Sequence, residues 1–334
     1  MKKFKKTVDG LKFIYYTSFS MIFMSYICIC EQQCQSHPIK DGERSVCSPS
    51  FIVKRKVFKM KKAAILLCVV LLAVGYIFAE NNSIEVSRFS VFSDKLPESF
   101  DGLRIVQISD LHNKDFGSRL TDMISELEPD IIVITGDIID SYSTKTETAV
   151  EFTENVAEIV PVYYITGNHE SRLPEEYAIL RNKMEENGVA VLDGKRVEFE
   201  RNGESIALCG IDDPAFFGSY VLGENEIQFK RVLADLADGG FEILLSHRPE
   251  LIDLYAENGF DLVFSGHAHG GQIRLPFIEG IFAPAQGFFP KYTSGLYESG
   301  ETSMIVSRGL GNSLFPFRIG NRPEIVLCEL EKQG

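Results

Sequence analysis

The sequence predicts an α/β layered domain behind a membrane-targeting leader, and three observations carry this. Five short β-branched runs each end in Ser or Thr and then a polar cluster: LRIVQIS before Asp110, IIVIT before Gly136, VYYIT before Gly167, EILLS before His247, and DLVFS before Gly266. Between them, apolar residues recur at helical spacing, as in Leu120, Ile124, Leu127 and again in Tyr177, Leu180, Met184, so strands and helices alternate. Apolar runs long enough to span a bilayer are confined to the first 80 of 334 residues, which excludes a polytopic transporter.

Taken in order, residues 1–62 form a basic leader and residues 63–79, AAILLCVVLLAVGYIFA, an uncharged run directly after Lys59, Lys61 and Lys62. That run lies between the length of a signal-peptide core and that of a spanning helix, so it reads as either an anchor or a cleaved signal. The basic flank should stay cytoplasmic, with the residues after 80 exported. A second apolar stretch, residues 11–30, would return the domain to the cytoplasm if it also spanned. Because MKKAAILLCVVLLAVGYIFA is a complete leader by itself, translation is expected to start at Met60, with residues before it an upstream extension.

The formal charge of −13 is split: residues 1–62 carry +9 and residues 63–334 carry −22. A body that acidic repels a phosphate backbone, so no nucleic acid partner is expected. Cys28, Cys30, Cys34, Cys47 and Cys68 lie in the leader region and only Cys209 and Cys328 in the body, which leaves no disulfide framework. The apolar share of 45% is enough for a large core and excludes a disordered chain.

Residues 80–101 read as a linker and first strand, and residues 102–332 as one catalytic domain. The five polar clusters follow strands, so they should converge at the carboxyl edge of a sheet, where such folds place their sites. Shorter paired runs around residues 189–210 and Gly/Pro-rich stretches from Gly270 to Tyr297 read as a second sheet with mixed pairing, before a last strand-like EIVLCEL.

Five of the six histidines, His112, His169, His247, His267 and His269, fall in the polar clusters with Asp110, Asp137 and Asn168; only His37 does not. A single histidine after a strand is commonly structural, but this concentration points to a metal site. Asp110 and His112, like His267 and His269, are two apart and would project from one side of an extended segment. Carboxylate, imidazole and amide donors without thiolate suit Mn, Fe or Zn, and so many donors exceed the need of one ion, so two divalent ions sharing a carboxylate are expected. Gly136, Gly167 and Gly266 precede ligands, where lack of a Cβ would allow a tight turn. Asp140 reads as a turn cap, and Asp212 and Asp213 before Pro214 as a turn.

DLH (110–112), GDIID (136–140), GNHE (167–170), His247 and GHAH (266–269) together resemble, in order, the five blocks of the calcineurin-like metallophosphoesterases. The resemblance implies a four-layer β-sandwich flanked by helices and a dinuclear centre. Carried over residue by residue, it implies that Asp110, His112, Asp137 and His269 bind one ion. Asp137, Asn168, His247 and His267 would bind the other, with Asp137 bridging. It further implies hydrolysis of a phosphoester by a metal-bridging hydroxide, with His169 catalytic and not a ligand.

The tail from Gly270 to Tyr297 and from Ser307 to Leu330 resembles the bacterial membrane-associated or exported branch, which includes enzymes likened to UDP-diacylglucosamine pyrophosphohydrolases. This implies a phosphodiester or pyrophosphate substrate, either a phosphorylated small molecule or a lipid-linked one. Arg274, Lys291 and Arg308 are the cations placed to meet its phosphate, though surface solvation accounts for each as well. Phe277, Phe282, Phe288, Phe289 and Tyr292 follow closely on His269 and form either an apolar lip beside the metals or plain core. Two other functions fit the motifs: an envelope metal-binding pseudoenzyme that docks a partner, and a cytoplasmic nucleotide phosphodiesterase.

Overall fold

The structure, a computed structural model, describes residues 49–143, 145–218, 226–312 and 315–333. The upstream apolar stretch 11–30, His37 and the four cysteines before residue 48 lie outside the described residues. Helix α1 (Pro49–Asn82) contains the apolar run, and over Val57–Asn82 it is long and apolar enough to cross a membrane. Leu72, Val74 and Phe78 are exposed on it, whereas Glu80 and Asn81 are buried. The chain divides into two units, Met1–Leu66 and Leu67–Gly334, and both sheets belong to the second.

After α1 comes β1 (Glu85–Ser93), followed by a run of parallel strands with helical crossovers. These are β2 (Arg104–Ile108), α2 (Ser118–Ser125), β3 (Ile131–Thr135), α3 (Glu147–Ala157), β4 (Val162–Ile165), α4 (Pro174–Glu186) and the short β5 (Ala190–Val191). An antiparallel pair follows, β6 (Lys195–Arg201) and β7 (Glu204–Gly210), then α5 (Glu226–Leu236), β8 (Glu242–Leu245), α6 (Ile252–Glu257) and β9 (Leu262–Ser265). The chain ends through the hairpin β10 (Phe282–Ala283) and β11 (Gly287–Phe288), then β12 (Gly295–Ser299), β13 (Thr302–Val306) and β14 (Glu324–Lys332).

Two six-stranded sheets result, ordered β1-β14-β2-β3-β4-β5 and β12-β13-β9-β8-β7-β6. The five runs singled out in the sequence are β2, β3, β4, β8 and β9, and they are divided between the sheets. The second sheet has the expected mixed pairing: β7, β8 and β9 run parallel, while β6 and β12 pair antiparallel at its edges. EIVLCEL is not part of that sheet; as β14 it returns to the first and lies between β1, in parallel, and β2, antiparallel.

Period-two alternation explains the four layers. In β3, Ile131 and Val133 face the core between the sheets, while Ile132 and Ile134 face α2, α3 and α4. In β8 and β9, Ile243, Leu245, Leu262 and Phe264 join the core between the sheets, and Leu244 and Val263 face α5 and α6. Each strand is therefore buried on both faces and reads as a continuous apolar run. Full burial of each such side chain contributes about 1.5–3 kcal/mol. On the inter-sheet face of β2, Gln107 replaces an aliphatic residue and donates to Thr135 Oγ1 (3.0 Å) and to the carbonyl of Ser265 (2.8 Å), tying the sheets together below the site.

Candidate metal centre

Residues after β2, β3 and β4 meet residues after β8 and β9 where both sheets present their carboxyl ends. Turn-like backbone brings them inward: Asp110, His112, Asp137, His267 and His269 all have φ between 47° and 66°. Residues with a Cβ rarely adopt this region, and each instance costs on the order of 1–3 kcal/mol, so the surroundings must impose it. The imposing contacts are visible. The N–H of Asp110 donates to Gly136 O (3.0 Å) and that of His112 to Asp137 O (3.0 Å), while Gly311 N–H donates to Asp110 O (2.6 Å).

Gly136 has φ 87°, as a tight turn requires. At Gly167 and Gly266 the reason is different from a turn. A Cβ on Gly167 would collide with the Asp137 carboxylate, and one on Gly266 with Ser109 Oγ and the Asp110 carboxylate. These two glycines let one strand end approach another.

Neighbouring N–H and O–H groups orient each carboxylate, and both oxygens of Asp110 accept the backbone N–H of His267 (3.2 and 3.1 Å). Asp137 Oδ1 accepts the backbone N–H of His169 (2.7 Å), leaving Oδ2 3.2 Å from His247 Nε2 and 3.8 Å from His112 Nε2. Asp110 Oδ2 accepts from Ser109 Oγ (2.6 Å), and Oδ1 lies 3.2 Å from His269 Nε2. His247 Nδ1 lies 2.7 Å from Thr135 O, an acceptor, so Nδ1 carries a proton; burial lowers the ring's pKa, but Asp137 at Nε2 outweighs it and raises it to about 10, so Nε2 is the position a cation would take in place of a proton. Burial alone would raise the Asp137 carboxyl, but the imidazoles of His247, His169 and His112 hold it well below the usual carboxylate range. For Asp110, burial is likewise opposed by His269, His112 and His247, and its pKa is held at about 2.

The residues therefore fall into donor groups. Asp110, His112, Asp137 and His269 each offer an atom within 4.8 Å of the others, and Asp137, His247 and His267 form a second such group. Asn168, between Gly167 and His169 in the chain, is buried, and its Oδ1 has no hydrogen-bond partner. His112 Nε2 and His269 Nε2 face one another at 3.1 Å, as do His267 Nδ1 and His247 Nε2 at 3.2 Å. Converging imidazole nitrogens, a buried carboxylate common to both groups and an unsatisfied amide oxygen fit divalent cations.

His169 lies beside both groups. Ser141 N–H donates to its Nδ1 (2.9 Å), so a neutral ring carries its proton on Nε2. Asp140 both caps its turn, accepting from Tyr142 N (3.0 Å), and lies 3.4 Å from His169 Nδ1. Burial lowers the His169 pKa, but Asp137 and then Asp140 outweigh it and the net shift is upward. His112, Asp140 and His169 also come within metal-binding reach of one another.

Three supports were not singled out from the sequence. Glu170, fully buried, accepts from the backbone N–H groups of Gly167 (2.8 Å), Asp137 (3.0 Å) and Ile139 (3.2 Å), clamping the GDIID loop to the GNHE loop. Burial and then Asp137 push its carboxyl up to about 7, against the pull of the Gly167 and Ile139 N–H groups. Arg248 forms a two-pronged pair with Asp213 and approaches His267 Nε2 (2.9 Å). Arg318 is fully buried and donates to the carbonyls of Gly311 and Arg308 (2.9 Å), behind Asp110 and His112. Glu170 and Arg248 each adjoin a candidate site histidine in sequence, which was the available signal.

The candidate substrate cations are not among the donor groups. Arg308 is engaged by Glu324 and Glu85, and Arg274 Nη1 donates to Gly270 O (3.2 Å) and Thr293 Oγ1 (3.1 Å). Lys291 is exposed, with its Nζ 4.7 Å from the Tyr292 ring centre. Of the aromatic cluster, Tyr292 is buried in core, whereas Phe277, Phe288 and Phe289 are exposed.

Residues 103–271, half of the chain, match the family of calcineurin-like phosphoesterases. The chain belongs to that family. As a calcineurin-like phosphoesterase it is a hydrolase, and its donor clusters point to divalent metal binding. It is 33% identical over 269 residues to a Bacillus subtilis protein named uncharacterized metallophosphoesterase YkuE, covering 77% of this chain and 90% of that one. A Danio rerio protein named transmembrane protein with metallophosphoesterase domain is 30% identical over 307 residues, 88% of this chain and 66% of that one. Phosphodiesterase YaeI of Escherichia coli is 26% identical over 234 residues, 68% of this chain and 82% of that one. Together with α1, the similarity to a transmembrane protein points to membrane association of this phosphoesterase.

Proposed function

We propose that this phosphoesterase is a dinuclear hydrolase of phosphodiester or pyrophosphate bonds in a phosphorylated small molecule or a lipid-linked substrate. The observation that carries the reading is Asp137, the one carboxylate common to both donor groups. Asp110, His112, Asp137 and His269 are the proposed ligands of one ion, and Asp137, Asn168, His247 and His267 those of the other. When bound, Mn, Fe or Zn ions supply positive charge against the phosphoryl oxygens and lower the pKa of a water.

The chain's own residues do the rest. The His169 N–H fixes the bridging carboxylate through Oδ1, and Thr135 O fixes the tautomer of His247. His169 directs Nε2–H at the leaving oxygen to stabilise its developing charge, with the Ser141 N–H orienting the neutral ring at Nδ1, and the nearby Asp137 and Asp140 carboxylates favour the charged ring from which a proton can be transferred. Arg274 and Arg308 border Gly270, next to His269, and with Lys291 are the proposed phosphate contacts. The similarity to a protein named phosphodiesterase favours the diester, and the basic residues of α1 that precede its apolar run, Lys54 to Lys62, favour an exported domain on a membrane anchor.

Metal analysis of the purified full chain, coupled to a panel of phosphomonoester, phosphodiester and pyrophosphate substrates, tests this. Two equivalents of divalent metal and turnover of the diester or pyrophosphate are expected. Two bound ions with no turnover of any class would support a metal-binding pseudoenzyme instead.

A further inference from the structure

The last turns of α1 are tied to the loop before β14. Asn81 accepts from Arg318 N (2.9 Å), and Glu80 takes the backbone N–H of Asn321 (3.2 Å) and the Arg322 guanidinium (2.9 Å). Lys114 donates to the carbonyl of Asn81 and Arg119 to that of Asn82 (3.0 Å), placing two cations on the helix's C-terminal carbonyls. One turn earlier the helix has no cover: Phe78 is 70% exposed and Leu72 74%. The change from bare apolar to buried polar surface between Phe78 and Glu80 marks where a bilayer must end if α1 lies in it.

The same loop holds a second apolar surface. Arg274 N–H donates to Ile319 O (2.9 Å), Ile273 bridges to Ile319, and Asn321 Nδ2 donates to the carbonyls of His269 (2.8 Å) and Gln272 (3.0 Å). From there the chain makes a tight turn closed by Leu275 and Ile278, with Phe277 at its tip, and continues into the hairpin of β10 and β11. Phe277 is wholly exposed, Phe288 74% and Phe289 71%, and Leu275 and Ile278 add to the surface. Phe277 and Phe289 have φ of 69° and 55°, a conformation that costs bulky residues energy and here turns aromatic rings away from the core. Such side chains gain by leaving water, so in water this surface is unfavourable.

We propose that the turn at Phe277 and the open end of the β10–β11 hairpin at Phe288 and Phe289 insert into the lipid bilayer that holds α1, as a second contact with the membrane. The occupant is lipid because the loop 318–322 touches both the point where α1 leaves its apolar stretch and the base of the aromatic turn. Lys291, two residues past Phe289 and exposed, stands where a cation meets headgroups. Because the segment begins at His269, this contact would set the mouth of the metal centre against the membrane surface. The inference rests on α1 lying in the membrane and is independent of which phosphoester is cleaved.

The chain has no tryptophan, so one introduced indole reports alone. Full-length Phe277→Trp, Phe289→Trp, Leu72→Trp and Ile179→Trp chains are reconstituted in phosphatidylcholine vesicles, with and without bromine on the acyl chains. Trp at 277, 289 and 72 is expected to lose emission in brominated lipid and to shift to the blue. Trp at position 179, exposed on α4, is expected to do neither. Quenching at 72 without quenching at 277 and 289 would overturn the proposal while leaving the anchor intact. An unquenched Trp at 72 would overturn the anchor and the proposal with it, and quenching at 179 as strong as at 277 would reduce the contact to non-specific adsorption.

Discussion

Asp137 is the residue on which the centre turns, since its carboxylate is the donor common to both groups. Asp137→Ala is expected to lose both metal equivalents on elemental analysis, whereas His112→Ala, which removes a donor from one, should keep more. His169→Ala is expected to retain both ions and native stability while kcat on an aryl phosphodiester falls by roughly 10² to 10⁴, with a smaller loss for readily departing leaving groups. Loss of metal from that variant would instead place His169 among the ligands, as its proximity to His112 and Asp140 permits. Asp212 behaves differently. It is partly buried and accepts from Thr166 Oγ1 (2.6 Å), and the loss of solvent around it raises its pKa to about 6. The folded state therefore binds this proton more tightly than the unfolded chain, so stability falls as pH rises from about 4 to 6 and the cost persists above. Asp212→Asn is expected to flatten that interval in chemical denaturation and to stabilise the protein at pH 7 by up to about 3 kcal/mol. A variant less stable than the parent at pH 7 would sink this. Sequence exposed the donors because chemistry limits which residue types can hold a cation. It did not single out Glu170, Arg248 or Arg318, whose roles depend on backbone atoms and carboxylates brought near only by folding.

At the scale of elements, the loops after β3 and β4 act as one piece because Glu170 takes a backbone N–H from each. Glu170→Gln replaces one acceptor oxygen by a donor and leaves a buried N–H unmatched, which costs on the order of 1–3 kcal/mol. Its midpoint in urea should drop accordingly, with weaker metal retention, since the amide oxygen can keep the Gly167 and Asp137 N–H groups only by releasing that of Ile139, which loosens the loop that carries Asp137. Strands β2, β3, β4, β8 and β9 were legible because β-branched runs ending in Ser or Thr have few other readings. Their division between two sheets was not. A strand buried on both faces carries no alternation to say which neighbour it pairs with, and β14 shows this by returning to the first sheet. The aromatic segment was ambiguous for a related reason: composition cannot distinguish Tyr292, packed in core, from Phe277, directed outward.

Considered whole, the molecule joins an apolar helix to an acidic hydrolase whose donor groups come from both sheets, so metal binding there would couple to folding. Saturating Mn at about 100 times its Kd should raise stability by about 2.7 kcal/mol per site, and chelation should remove it, seen as a metal-dependent melting temperature. Alkaline phosphatase fused after residue 334 is expected to be active and a cytoplasm-only reporter silent; the reverse pattern would place the domain inside. Order of synthesis gives the position of β14 a further meaning. Residues 324–332 fill the gap between β1 and β2, and the Gly309 to Gly311 turn just before them braces Asp110 and His112. A nascent chain thus carries its donor side chains long before it can close the sheet beneath them. While it is being made that sheet remains open, and the geometry around Asp110 and His112 is complete only once β14 has been delivered.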